Sequence, residues 1–239
     1  NPRFFGVQAL VMCPTRELAE QVSQSIRQLA SRMSNIKTVL LCGGKPFGPQ
    51  RDSLRHGAHI VVGTPGRIED HLQRGNLELK GVKIFVLDEA DRMLDMGFAQ
   101  VMADITARLP KNRQTLLLSA TFAEDIKKVS RSIQQNPLQI CVEEPASPEK
   151  QIVEQLFYEV QKHERDRCLL ALFEHYRPRN AMVFCNTKQQ CAEVARFLRT
   201  HDIEAAAIHG DLDQRERDQG LLQFANDSCP VLVASDVAA

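Results

Sequence analysis

The segment Ile84-Phe85-Val86-Leu87-Asp88-Glu89-Ala90-Asp91 sets four apolar residues directly against three acids in four positions. No polar position interrupts the apolar run, so a strand formed there is apolar on both faces and calls for helices on both sides. Val231-Leu232-Val233 reads the same way. Working outward, further strand candidates are 8–13, 37–42, 59–63, 82–87, 114–118, 138–142, 152–160, 180–185, 204–208 and 230–234. Helical patterns fill most of the gaps, at 16–32, 97–108, 123–135, 164–175, 188–200 and 213–225. Repeated alternation of the two predicts an α/β fold with parallel sheets, right-handed crossovers and helices on both faces.

The stretch Glu143-Glu144-Pro145-Ala146-Ser147-Pro148-Glu149 breaks that alternation with two prolines, three acids and no apolar periodicity. It predicts a linker over 143–151 between two α/β domains, 1–142 and 152–239. A length of 239 residues accommodates both, at ~100–200 residues per domain. The chain is 43% hydrophobic and 25% charged, which excludes wholesale disorder and low-complexity architectures. Lys+Arg and Asp+Glu both number 30, yet residues 1–75 hold 10 basic against 5 acidic residues, a weak pointer to a polyanion. The seven cysteines show no C-x-x-C pair and no zinc-ligand spacing, which predicts a reduced, cytoplasmic protein. His56 and His59 have no carboxylate or Cys to complete a metal site, and no apolar run reaches the ~20 residues of a membrane span. The opening Asn1-Pro2 and the closing Val237-Ala238-Ala239, just past a strand, read as the ends of an internal fragment.

Six polar motifs each follow directly on an apolar run: Pro14-Thr15-Arg16-Glu17, Thr64-Pro65-Gly66-Arg67, Asp88-Glu89-Ala90-Asp91, Ser119-Ala120-Thr121, Asn186-Thr187 and Ser235-Asp236. In a parallel sheet all carboxyl ends share one edge, where ligands bind. An apolar strand ending in Asp-Glu is the carboxylate arm of P-loop-type NTPases: the first acid holds Mg²⁺, usually through water, and the second acts on the attacking water. The plainer alternative is that Asp88 caps the following helix, but three acids exceed what a cap needs. Thr64-Pro65 and Pro14-Thr15-Arg16 are helix starts carrying an Arg, suited to phosphates; ordinary capping explains either one alone equally well. Thr121-x-x-Glu124 and Thr187-x-x-Gln190 match the capping box, and Asp213 is placed to cap a helix. Gly43-Gly44-Lys45 imitates the end of G-x-x-x-x-G-K-[ST], but Val39 and Pro46 occupy the first-glycine and hydroxyl positions. No other segment fits that phosphate-cradling pattern.

Pro14-Thr15-Arg16-Glu17-Leu18-Ala19, Gly43-Gly44, Thr64-Pro65-Gly66-Arg67, Asp88-Glu89-Ala90-Asp91 and Ser119-Ala120-Thr121, in this order, resemble the DEAD-box ATP-dependent RNA helicases. Val183-Phe184-Cys185-Asn186-Thr187, His209-Gly210-Asp211, Gln214-x-x-Arg217 and Val233-Ala234-Ser235-Asp236-Val237-Ala238-Ala239 extend the resemblance to the second half. The wording is similar to the bacterial, ribosome-assembly type. The resemblance implies two RecA-like domains that close around ATP, Mg²⁺ and single-stranded RNA. It implies that Asp88 holds Mg²⁺ through water and Glu89 acts on the attacking water. Asp91 would link to Ser119 and Thr121 and couple the nucleotide to RNA strain. Thr15, Arg16, Gly44, Thr64, Gly66 and Arg67 would follow the RNA backbone in the first domain, and Asn186, Thr187, Arg217, Ser235 and Asp236 in the second. Backbone contact implies little sequence preference and strong salt dependence. A monomer without a membrane partner is expected.

By the same resemblance, the adenine-reading glutamine motif and the Walker A loop belong upstream of Asn1, and the remainder of the fifth motif and the arginine fingers beyond Ala239. Ser235 stands where the family usually has Thr. The chain given is therefore expected to be inactive by itself. A different class of reading is an RNA-binding clamp without ATPase activity. A third, a non-helicase NTPase with a similar Asp-Glu arm, is disfavoured by the second-domain motifs.

Overall fold

The computed structural model describes residues 6–142 and 153–235. The chain divides into two compact units, Asn1–Glu143 and Glu144–Ala239. The expected linker, the terminal residues and Asp236 lie outside the described residues.

In the first unit, β1 (Ala9–Met12), β2 (Thr38–Leu41), β3 (Ile60–Gly63), β4 (Ile84–Leu87) and β5 (Gln114–Leu117) form a parallel sheet of order β2-β3-β1-β4-β5. Its helices are α1 (Arg16–Leu29), α2 (Phe47–Arg55), α3 (Pro65–Gln73), α4 (Ala90–Asp95), α5 (Ala99–Ala107) and α6 (Glu124–Ile133). The strand order explains how they are shared between the faces. Only the β1-to-β2 crossover runs toward the β2 edge, so a right-handed connection puts α1 on one face and the other crossover helices on the opposite one. Leu18, Val22 and Ile26 of α1 accordingly pack on Val11, Val62 and Val86. The opposite face holds the larger core, where Leu10, Met12, Phe85 and Leu87 meet Ile68, Met93, Ile105 and Ile126.

Helices flank both faces as expected, but one helix cannot cover five strands, so the α1 face is covered only in part. Phe85 and Leu87 are buried, but Ile84, Leu116 and Leu118 are exposed on the part of the sheet that α1 does not reach. The expected strand at 138–142 does not form: Leu138, Ile140 and Val142 are exposed and border, with Leu118 and Thr121, a cleft of about 700 Å³. Residues 154–160, expected as a strand, are likewise unpaired. An apolar alternation becomes a strand only where a neighbouring edge accepts its hydrogen bonds, and neither segment has one among the described residues.

Gly63 ends β3, between β1 and β2, and a Cβ there would lie 2.3 Å from Leu41 O. The obstacle is backbone inside a sheet, so it cannot swing aside. Gly63→Ala is expected to destabilise the chain by about 2–3 kcal/mol, measured by denaturant unfolding; an unchanged midpoint would show that the sheet yields there.

In the second unit, α7 (Arg165–Tyr176) precedes β6 (Ala181–Cys185), α8 (Lys188–Arg199), β7 (Ala205–Ile208), α9 (Gln214–Ala225) and β8 (Val231–Ser235). The sheet is parallel, of order β6-β8-β7. Cys191, Ala195 and Leu198 of α8 cover Val231 and Val233, which fills one face. β8, central and apolar, is buried throughout. Met182 and Phe184 of β6 remain exposed on the other face. All seven cysteines are free thiols, and no described helix is long and apolar enough to cross a membrane.

Candidate functional site

Parallel pairing puts the carboxyl ends of β1 to β5 on one edge, so the motifs that follow them assemble there. The chain leaves β1 toward one edge of the sheet and β4 toward the other. The crevice at this change of direction lies between Cys13-Pro14 and Asp88-Glu89, because Met12 is in register with Leu87. Burial, then the nearby Asp88, Cys42 and Glu89, push the Cys13 thiol up to about 12. It is a neutral core residue beside a negative site.

Neither acid of the Asp88-Glu89 pair caps the helix through its side chain. The N-cap of α4 is Glu89, in the left-handed region at φ 51°, ψ 55°, and its side chain makes no capping bond. That region is sparsely populated for a residue with a side chain and collects at functional sites. The Glu89 carboxylate makes a 4.0 Å ion pair with Arg92. The Asp88 side chain is half-buried and has no hydrogen bond or ion pair among the described residues. The capping alternative for Asp88 is thereby removed.

Asp91, one turn on, is committed. Thr121 donates to its Oδ2 from the backbone N–H at 2.9 Å and from Oγ1 at 3.0 Å, and the Arg92 N–H reaches its Oδ1 at 3.0 Å. Burial pushes the Asp91 carboxyl up, but these bonds outweigh it and hold the group below its usual range. The Ser119 hydroxyl adds the weakest pull, without meeting the distance and angle of a hydrogen bond. Thr121 therefore ties the end of β5 to α4. It is not the cap that its spacing from Glu124 predicts: Ala123 occupies the N-cap of α6.

The neighbouring strand ends carry hydroxyls and basic groups. Thr15 caps α1, accepting from the Leu18 N–H at 3.3 Å. Thr64 is the N-cap of α3 but makes no side-chain capping bond, and Gly66 faces open space. The Arg16 guanidinium rests on Gly44, where an added Cβ would lie 2.0 Å from Nη1. Gly44 itself has φ +71°. Arg67 reaches the same edge, but it donates to Lys45 O at 3.0 Å and its side chain is only 15% exposed. These contacts reduce its freedom to meet a phosphate.

In the second unit, Thr187 caps α8 through the Gln190 N–H at 3.2 Å, and Asp213 forms a full capping box with Glu216. Both therefore take the structural role that their spacing allows. Asn186 is exposed beside Thr187, and Ser235 is buried at the end of β8, in register with Cys185. Arg217 turns back on the loop after β7 and donates to Gly210 O at 3.0 Å. Lys188 pairs with Asp211 at 2.7 Å and joins that loop to the start of α8.

Two parallel sheets with flanking helices and polar loops at the strand ends define a RecA-like α/β architecture. Residues 2–129 match the DEAD/DEAH box helicase family and residues 164–239 the helicase conserved C-terminal domain, and the chain belongs to the DEAD-box helicases. The ATP-dependent RNA helicase DbpA of Escherichia coli K12 is 49% identical over 98% of this chain and 51% of its own length. The DEAD-box ATP-dependent RNA helicase CshA of Streptococcus pneumoniae is 40% identical over 98% of this chain and 44% of its own. The chain thus spans about half the length of the curated relatives it matches. Saccharomyces cerevisiae Dbp5 bound to RNA and ADP BeF3 aligns over 99% of this chain and 60% of that one, with a TM-score of 0.82 at 27% identity. A DEAD box protein from Methanococcus jannaschii aligns over 99% and 62%, with a TM-score of 0.58 at 38% identity.

Proposed function

We propose that this chain carries the RNA-tracking surfaces and part of the ATP site of an ATP-dependent RNA helicase. It binds the backbone of single-stranded RNA with both domains and couples ATP hydrolysis to local duplex unwinding. The observation that carries this reading is the Asp91–Thr121 pair of hydrogen bonds. A change at Asp88-Glu89 passes through α4 to the end of β5 by that link. Asp88, half-buried and uncommitted, fits a magnesium site, since such sites use one or two carboxylates with waters and substrate phosphates. When bound, the ion would neutralise charge on the phosphates of ATP. Glu89 holds the proton taken from the attacking water.

Thr15, Arg16, Gly44, Thr64, Gly66 and Arg67 form the RNA surface of the first domain, and Asn186, Thr187, Arg217, Ser235 and Asp236 that of the second. The bound copy of yeast Dbp5 supports the ligand class, since that protein was captured with RNA and ADP BeF3. The test is fluorescence anisotropy of unrelated single-stranded RNAs of equal length with the 239-residue chain. Equal affinities are expected, with log affinity falling against log salt by about 0.7 per phosphate contact. Affinity that follows base sequence, or ignores salt, would overturn the reading.

A further inference from the structure

Behind the Gly43–Lys45 loop stand three side chains that none of the sequence motifs includes: Phe47, Gln50 and His71. Gln50 is buried in α2, and its amide nitrogen faces three loop carbonyls, Cys42 O at 3.0 Å, Lys45 O at 3.4 Å and Pro46 O at 3.2 Å. The Phe47 ring stacks on His71 with centroids 4.1 Å apart and planes 9° apart. Arg74 and Arg67 lie over the Phe47 ring at 4.7 and 5.6 Å. His71 is fully buried and neither ring nitrogen has a partner. Burial first, then the Arg67 charge, lower its pKa to about 4, so the ring is neutral at physiological pH and stacks as an aromatic group.

All these ties converge on residues 42–47, and they engage the loop through its carbonyl oxygens and the Phe47 ring. The N–H groups of Gly43, Gly44 and Lys45 are left over: none has an acceptor among the described residues. Successive N–H groups around a residue in the left-handed region form a concavity that takes an anion, and Gly44 supplies that conformation. A loop that had to be ordered on contact would bind more weakly than one already held in place.

We propose that Phe47, Gln50 and His71 are positioning residues that hold the Gly43–Lys45 loop ready for an RNA phosphate. They do not touch the RNA; they fix the backbone that does. The proposal rests on the RNA-backbone reading above, and its test separates the two. Anisotropy of a fluorescein-labelled oligouridylate is measured with the 239-residue chain at several salt concentrations, beside thermal unfolding. Gln50→Leu is expected to weaken binding by about tenfold and to lower the salt slope by about 0.7, the share of one phosphate on a single strand. Loss of fold without loss of the contact would leave that slope unchanged in the remaining folded fraction. His71→Phe keeps the ring stack and is expected to bind as the unaltered chain does, whereas His71→Ala loses affinity and slope together. Unaltered affinity and slope in Gln50→Leu would overturn the proposal. So would a His71→Phe chain as weak as His71→Ala, because the stack would then not be the requirement. Should Gln50→Leu fail to fold, the two His71 variants decide the matter. If the unaltered chain binds no oligouridylate, the RNA reading falls and this proposal with it.

Discussion

Glu89→Gln, placed in a chain that also carries a phosphate-cradling loop, is expected to lower RNA-stimulated ATP turnover by ~10²–10⁴-fold, the range of a lost general base. RNA binding in the presence of ATP should survive. Glu89 follows the uncommitted Asp88, starts α4 in a left-handed conformation and leaves its carboxylate free of capping. Gln keeps the shape of the side chain and the same backbone freedom, so the fold and the Asp91–Thr121 link are untouched. What is lost is the group that accepts a proton from water. Steady-state phosphate release is the measurement. Near-normal release would place the base elsewhere; loss of RNA binding along with turnover would make Glu89 a structural residue of the crevice.

The 239-residue chain by itself is expected to release no phosphate from ATP, with or without RNA. Asp88 and Glu89 are in place, but nowhere in the sequence does G-x-x-x-x-G-K-[ST] occur. Gly43-Gly44-Lys45 does not substitute for it. Its Lys45 is paired with Glu20 at 2.9 Å, and Val39 and Pro46 stand where that pattern needs Gly and Ser or Thr. A nest of N–H groups with a lysine is what holds the β- and γ-phosphates in P-loop enzymes. Without that hold the carboxylates have no positioned substrate to act on. The purified chain is compared with its Glu89→Gln variant in the presence of RNA. Turnover that disappears in the variant would reveal a phosphate site built from other residues.

Much of this site was legible along the chain because the signals are local. An apolar run followed at once by polar residues places those residues at a strand's carboxyl end, and β1, β3, β4, β6 and β8 all end that way. Thr187 and Asp213 have their capping partners three residues away, so spacing alone identified them. Phe47, Gln50 and His71 gave no such signal. The α2 segment opens with Pro46, Gly48 and Pro49 and looks like loop, and His71 resembles any histidine on an amphipathic helix.

The amino-acid sequence by itself determined the alternation of strands and helices, the break near residue 143 and the family. Each follows from residues close together in the chain. Only the tertiary structure decided which edges pair and which faces are covered. Strand order sets the crossover directions, and those leave Ile84 and Leu116 uncovered while the alternating residues 138–142 stay unpaired. The same holds for the two residues whose local reading changed most. Thr121 left a capping box for a carboxylate 30 residues away, and Arg67, read as a phosphate donor at a helix start, also donates to a carbonyl 22 residues back. A side chain near several possible partners takes the one that the fold brings within hydrogen-bonding distance, and that distance is not written in sequence spacing.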